Sequence, residues 1–329
     1  MDARDLGAGA LSAPVQLTGG TQNLLFLLER DGRRFVLRRP ALEARPGADA
    51  LMLREARVLE ALSCSAVPHP QLIAACDDPT VIGSTFYLME AVDGFNATTG
   101  LPASHTMSAA QHTMGLSLVD GISALGAVDH VAAGLEAFGR PEGFLERQVS
   151  RWAKEMEGFS RVSDWPGQAA LPAIADLQAW LTRHQPTFFR PGIMHGDYHI
   201  GNVMYRSDAP ALAAIIDWEL STIGDPLLDL AWLVATWPDE SGKSVSPTLD
   251  VSPWAGFPTT AELVERYGER SSRDLSAIDW YVVLACYKLG IILEGTHVRA
   301  CEGKADISMG KVFHQAAINL FERAGKIIR

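Results

Sequence analysis

A chain of 329 residues, 47% hydrophobic and 20% charged, has the composition of a folded globular protein with room for one large two-lobed unit or two domains. Its 39 acidic against 28 basic residues leave a net charge of −11, which repels a phosphate backbone and excludes general nucleic-acid binding as the first expectation.

Residues 19–40, GGTQNLLFLLERDGRRFVLRRP, read as a β-hairpin, with apolar stretches on either side of the turn pair Asp31-Gly32. Ala50 to Leu62 carries Leu51, Val58, Leu59 and Leu62 at helical spacing, with charged residues between them. Gln71 to Cys76 and Ser84 to Val92 read as two further strands. After Asp93-Gly94 the pattern changes to helices at Ser108 to Val128, Pro141 to Ser160 and Leu171 to Thr182. Short strands return from Gly192 through IMHGDYHIGNVMY and ALAAIIDWEL, and helices resume from Pro226, with a Ser/Pro/Gly-rich loop at Trp237 to Pro258. The expected architecture is α+β: a small antiparallel-sheet lobe over residues 1–92, then a mainly helical lobe over 93–329, with a ligand cleft between them.

The strongest chemical signal is His195-Gly196-Asp197-Tyr198-His199-Ile200-Gly201-Asn202, followed by Asp217 in Ile215-Ile216-Asp217-Trp218-Glu219. A carboxylate, an amide five residues later and a second carboxylate beyond a hairpin suit metal-assisted phosphoryl transfer. Asp197 would accept the proton of an attacking hydroxyl, and Asn202 and Asp217 would hold Mg2+, a hard cation that takes oxygen ligands. Asp229, on an apolar helix, reads as a buried support for this loop. His199 orients Asp197, touches substrate or is structural, and the spacing leaves all three open.

On these residues the chain resembles the aminoglycoside phosphotransferase/choline kinase-like family, which shares its architecture with protein kinases. His-Gly-Asp-x-x-x-x-Asn is similar to the family's catalytic loop and Ile216-Asp217-Trp218-Glu219 to its metal-binding segment, and the likeness runs on through Gly224-Asp225-Pro226-Leu227-Leu228-Asp229. GGTQN, FVLRRP, HGDYHIGN and IDWELSTIGDPLLDLAW resemble more narrowly the branch of kinase-like domains fused to some acyl-CoA dehydrogenases. The resemblance implies a protein-kinase-like fold and a Mg2+-dependent kinase, using ATP or GTP, for a hydroxyl on a small metabolite such as a hydroxyacyl-CoA. An aminoglycoside phosphotransferase and a nucleotide-binding pseudokinase are the alternatives.

The kinase pattern also needs a strand cation for the nucleotide phosphates and a helix glutamate to pair with it. No lysine precedes Lys154, so in Phe35-Val36-Leu37-Arg38 the cation is Arg38. Strand alternation puts Val36 beside it on one face, for the base. Glu55 is the expected partner of Arg38, and the loop containing Gly19, Gly20 and Asn23 would cover the phosphates. Met89 to Val92, including Glu90, would form the lobe connection that meets the base. Gly242-Lys243-Ser244 resembles the end of a P-loop but lacks its first glycine, since Trp237 stands there.

The cysteines Cys64, Cys76, Cys286 and Cys301 have no zinc or redox spacing and read as buried thiols. The N-terminus has acids where a secretory leader needs cations, and the longest apolar stretch, Trp280 to Leu293, carries Lys288, so a cytoplasmic protein without a membrane partner is expected. Monomer and homodimer both stay open. Residues 288–329 hold seven basic and four acidic side chains, which points to an anionic acceptor met by Arg299 and Lys304.

Overall fold

The computed structural model describes residues 6–17, 23–41, 46–239 and 241–329. Strands β1 (Val15–Leu17), β2 (Asn23–Arg30) and β3 (Arg33–Pro40) precede helix α1 (Ala48–Leu62), and β4 (Leu72–Cys76) and β5 (Phe86–Glu90) complete an antiparallel sheet of order β1-β2-β3-β5-β4. Arg30 pairs with Arg33, so Asp31 and Gly32 form a two-residue turn, and their φ values of 51° and 72° are those of the type I′ turn that matches strand twist. The Asp31 carboxylate also accepts from the Ala8 and Gly9 amides, and these bonds hold it below the usual carboxylate range.

Alternation along β3 sorts its side chains. Phe35 and Leu37 face a small cluster with Leu6, Leu28 and Leu88, while Val36 joins Met52, Tyr87 and Met89 on the α1 side, the side that carries Arg38.

Beyond β5 lie α2 (Ser108–Ala127), α3 (Phe144–Phe159) and α4 (Ile174–Arg183), each within a few residues of its predicted bounds. Two strand pairs follow: β6 (Gly192–Met194) with β9 (Thr222–Gly224), and β7 (Val203–Tyr205) with β8 (Leu212–Ile215). Helices α5 (Leu227–Thr236), α6 (Thr260–Arg270), α7 (Ile278–Cys301) and α8 (Ile307–Ile327) complete the described elements, and the described residues 237–239 and 241–258 form the expected loop, with one 3-10 turn at Pro247–Leu249. At 24 residues α7 is, among the described residues, the one helix long and apolar enough to cross a membrane, yet 67% of its most apolar window is buried in this fold. It is a core helix here.

Candidate active site

The β6–β7 loop carries Asp197 and Asn202, and the segment after β8 carries Asp217. Gly196 has a φ of 87°, and a Cβ there would lie 2.4 Å from the Leu220 carbonyl oxygen, so only glycine lets this loop lie against the Asp217 segment. His195 is fully buried and joins the same two segments: its Nε2 donates to the Ile216 carbonyl (2.8 Å) and its Nδ1 accepts from the Asp197 amide (3.3 Å). From α5, Asp229 accepts from the His195 and Gly196 amides at 2.7 and 2.9 Å. That is the support the sequence assigns to Asp229. Asp229→Ala orphans both buried donors, so a loss of about 2–3 kcal/mol in urea-unfolding free energy is expected, against a change within error if the carboxylate is dispensable.

Asp197 is held from several sides. The Asn202 side-chain amide donates to Oδ2 (3.1 Å) and to the Asp197 carbonyl (2.9 Å), the Trp232 indole N–H donates to Oδ1 (2.9 Å), and His199 Nε2 lies 3.5 Å from Oδ1. Burial alone would raise the Asp197 pKa, but the bond from His199, the nearby imidazoles and the Trp232 N–H together hold the carboxyl well below the usual carboxylate range. His199 also accepts from the Gly201 amide through Nδ1, so it both caps this turn and faces Asp197.

Asp217 adopts left-handed backbone angles, φ 66° and ψ 66°, which an L-residue with a Cβ takes only at a cost of roughly 1–2 kcal/mol. That conformation turns its carboxylate toward the sheet lobe, where Oδ1 accepts from Arg38 Nη2 at 2.8 Å. Arg38 Nε lies 3.0 Å from Glu55 Oε2, and the Tyr87 hydroxyl donates to the same oxygen at 2.9 Å. One planar guanidinium thus spans the α1 glutamate and the Asp217 carboxylate, a bridge that suits its fork better than a point-charge lysine. Burial pushes the Glu55 carboxyl up to about 7, against the pull of Arg38 and the Tyr87 hydroxyl.

Helix α1 is tied across the cleft through Arg54, which donates to the Phe138 and Ser221 carbonyls (2.5 and 3.1 Å) and stacks over the Phe138 ring. The connection after β5 is tied down as well. A Cβ on Gly94 would lie 2.2 Å from the Tyr205 carbonyl oxygen, and the Asn96 side-chain amide donates to the Gly201 and Val203 carbonyls on either side of Asn202.

The structure therefore brings Arg38, Glu55, Asp197, Asn202 and Asp217 into one connected cluster. Val36 lies beside Arg38 on the face of β3 turned to this cleft, Asn23 opens β2, Glu90 ends β5 exposed, and Val92 is half-buried two residues on. Gly19 and Gly20 lie outside the described residues. Sequence reasoning missed Trp232, Arg54 and Asn96. Trp232 had a signal, standing three residues after Asp229 and so on the same helix face.

With this geometry in place, the comparisons decide the family. The model of the phosphotransferase enzyme family, APH, matches residues 15–281. The chain belongs to that family. Its members' kinase-like fold is the one described above, and the family is one of phosphotransferase enzymes. A crystal structure from Ralstonia eutropha with a provisional aminoglycoside phosphotransferase assignment is 29% identical, covers 98% of this chain and 94% of its own, and has a TM-score of 0.80. An aminoglycoside phosphotransferase in ternary complex with ADP and hygromycin B has a TM-score of 0.60 at 16% identity, over 96% and 95% of the two chains, a likeness of fold alone. Among curated proteins, acyl-CoA dehydrogenase family member 11 of Rattus norvegicus is 29% identical over 89% of this chain, and family member 10 of Mus musculus 28% over 88%. This chain spans 37% and 27% of those two proteins.

A groove of about 1500 Å³ opens beside Gly196, between α3, the β9 segment and α7. Six cationic side chains, Arg140, Arg147, Arg151, Lys154, Arg161 and Lys288, line it against two carboxylates, Glu155 and Glu157. Lys288 Nζ lies 4.6 Å from the centroid of the Trp232 ring whose N–H holds Asp197. Neither Arg299 nor Lys304, the cations expected to meet the acceptor, lines this groove. Arg299 donates to the Thr296 hydroxyl and Lys304 pairs with Glu302 at 3.1 Å.

Proposed function

We propose that this chain is a Mg2+-dependent small-molecule kinase that moves the γ-phosphoryl group of ATP or GTP onto a hydroxyl of an anionic metabolite, with a hydroxyacyl-CoA as the leading acceptor. The single observation that carries the reading is the Asp197 carboxylate, kept ionised and held by Trp232 and Asn202 on the loop whose Gly196 lines a cationic groove. Residues 1–92 serve as the nucleotide lobe and 93–329 as the catalytic and acceptor lobe of a cytoplasmic enzyme.

Asn202 spends its N–H groups on Asp197, which leaves its amide oxygen as an acceptor; with the Asp217 carboxylate this makes a hard-oxygen pair that fits Mg2+. When bound there, the ion would neutralise charge on the nucleotide phosphates. Arg38, aligned by Glu55, takes the α/β-phosphates; Val36 and the connection at Glu90 and Val92 take the base; Gly19, Gly20 and Asn23 cover the phosphates. Asp197 accepts the acceptor's hydroxyl proton as the new O–P bond forms and the bond from phosphorus to the nucleotide's β-phosphate oxygen breaks. His199 and Trp232 act as positioning residues for that carboxylate.

The acceptor class follows from charge. Six cations against two carboxylates favour an anionic ligand and oppose a polycationic aminoglycoside. The matching acyl-CoA dehydrogenase family members support an acyl-CoA in particular.

The test is ADP release from Mg·ATP and Mg·GTP against hydroxyacyl-CoAs, hydroxy acids, sugars and aminoglycosides, in wild type and in a double Arg151→Ala, Lys154→Ala chain. An anionic acceptor whose KM rises about tenfold or more in the double variant, with nucleotide KM unchanged, is expected. Preference for kanamycin-type acceptors, or an acceptor KM that ignores both cations, contradicts the reading.

A further inference from the structure

Helices α7 and α8 bring three metal-ligating side chains together away from the catalytic cluster. Glu294 and His297 stand three residues apart on α7, and His314 faces them from α8. One donor atom from each lies within 4.8 Å of the others. The helices approach closely here because Gly310 carries no side chain, and a Cβ on it would meet the Ala300 Cβ at 2.5 Å.

The Glu294 carboxylate is fully buried; Oε1 accepts from the Trp165 indole at 2.5 Å and Oε2 lies 2.8 Å from His314 Nδ1. Among the described residues no lysine or arginine pairs with Glu294. His297 is 7% exposed, and its Nδ1 is buried beside the Gly310 backbone with no partner in good hydrogen-bonding geometry. The two imidazoles lie 4.5 Å apart at 33°, so protonating both would set like charges face to face.

We propose that Glu294, His297 and His314 form a second metal site, for a borderline-soft divalent ion of the Zn2+ class, that clamps α7 to α8. Two imidazole nitrogens and a carboxylate suit zinc, whereas Mg2+ prefers oxygen ligands and waters. The bound ion would balance the buried carboxylate and occupy a lone pair on His297. Bonds of ~2.0 Å in a tetrahedron separate ligand atoms by roughly 3.3 Å, so the widest donor separation, up to 4.8 Å, must close while the 2.8 Å His314–Glu294 contact opens slightly. His314 can supply that by side-chain rotation, since its side chain is 23% exposed, and the same exposure leaves a fourth position for water. Cys301 Sγ lies 3.7 Å from His297 Nε2 and is not among the three clustered donors. The site stands apart from the proposed kinase chemistry, and its test does not depend on turnover.

The test uses the untagged, EDTA-treated chain in excess Mg2+, which occupies the catalytic carboxylates. Zn2+ is titrated in competition with a chromophoric chelator, and Co2+ is added separately for its visible spectrum. Wild type should bind about one Zn2+ per chain with a four-coordinate Co2+ absorption, and His297→Ala and Glu294→Gln should each weaken binding on the order of 100-fold or more. Glu294→Gln keeps the shape of the side chain, and its circular dichroism should match wild type, so its loss of binding is not a loss of fold. Absence of stoichiometric Zn2+ binding in wild type, or equal binding in both variants, overturns the proposal and leaves a hydrogen-bonded network without a metal.

Discussion

Asp197→Asn is expected to lower kcat by about 10²–10⁴-fold, the range that a positioned general base contributes, while the dissociation constant for Mg·nucleotide stays within about twofold of wild type, because the base removes a proton and holds no phosphate. The amide still accepts from the Trp232 indole and leaves the loop anchored through His195 and Asp229, so the loss reports chemistry and not folding. The low pKa adds a second signature. A carboxylate held below its ordinary value of 3.8 stays ionised as pH falls through that value, and its contribution to stability and base strength is lost only below it. Wild-type kcat should therefore show no acid limb from Asp197 at pH 5 or above. Isothermal titration of ATP with pre-steady-state kinetics separates binding from chemistry, and an Asn variant that turns over at the wild-type rate would contradict the assignment.

Asp217→Ala should act on binding as well as on turnover. Its carboxylate is one of the two hard-oxygen donors facing the cleft, and metal stabilisation of phosphate charge is worth several kcal/mol, so a fall in kcat/KM of about 10³ or more is expected. The variant also removes the 2.8 Å partner of Arg38, leaving Glu55 as the nearer of the carboxylates that remain around that guanidinium. The diagnostic readout is the Mg2+ dependence of ATP affinity: Asp197→Asn should keep it and Asp217→Ala should lose it. Unchanged Mg2+-dependent affinity in Asp217→Ala would place the metal on other residues.

The cluster was legible where its chemistry sits on contiguous segments. Asp197, Asn202 and Asp217 fall within 21 residues joined by one short hairpin, so spacing alone places them near one another. Arg38 and Glu55 were legible through strand alternation and helix position, together with the absence of any lysine before Lys154. Contacts made by residues distant in sequence were not. Asn96 reaches Gly201 across 105 positions and Arg54 reaches Ser221 across 167, and no periodicity encodes which loop a side-chain amide or guanidinium will meet. The groove cations show the same limit. Arg147, Arg151 and Lys154 share one stripe of α3 at helical spacing, but whether that stripe faces solvent or the catalytic loop is set by how α3 lies against α7, while charge counting pointed to the tail. Of the seven tail cations, only Lys288 lines the groove. Glu294 and His297 were hidden for a related reason: a helix-borne pair gains its third donor from α8 only through the close crossing at Gly310.

The central claim is that this cleft phosphorylates a hydroxyl with Asp197 as the base. Its most direct test is transfer of the labelled γ-phosphoryl group from Mg·ATP to a hydroxyacyl-CoA, read as label in the isolated acceptor, for wild type beside Asp197→Asn. Label on the hydroxyl oxygen in wild type, reduced by the factor seen in kcat for the variant, is the predicted result. A wild-type chain that binds Mg·ATP yet labels no hydroxyl acceptor, or an Asn variant that labels equally well, would contradict it.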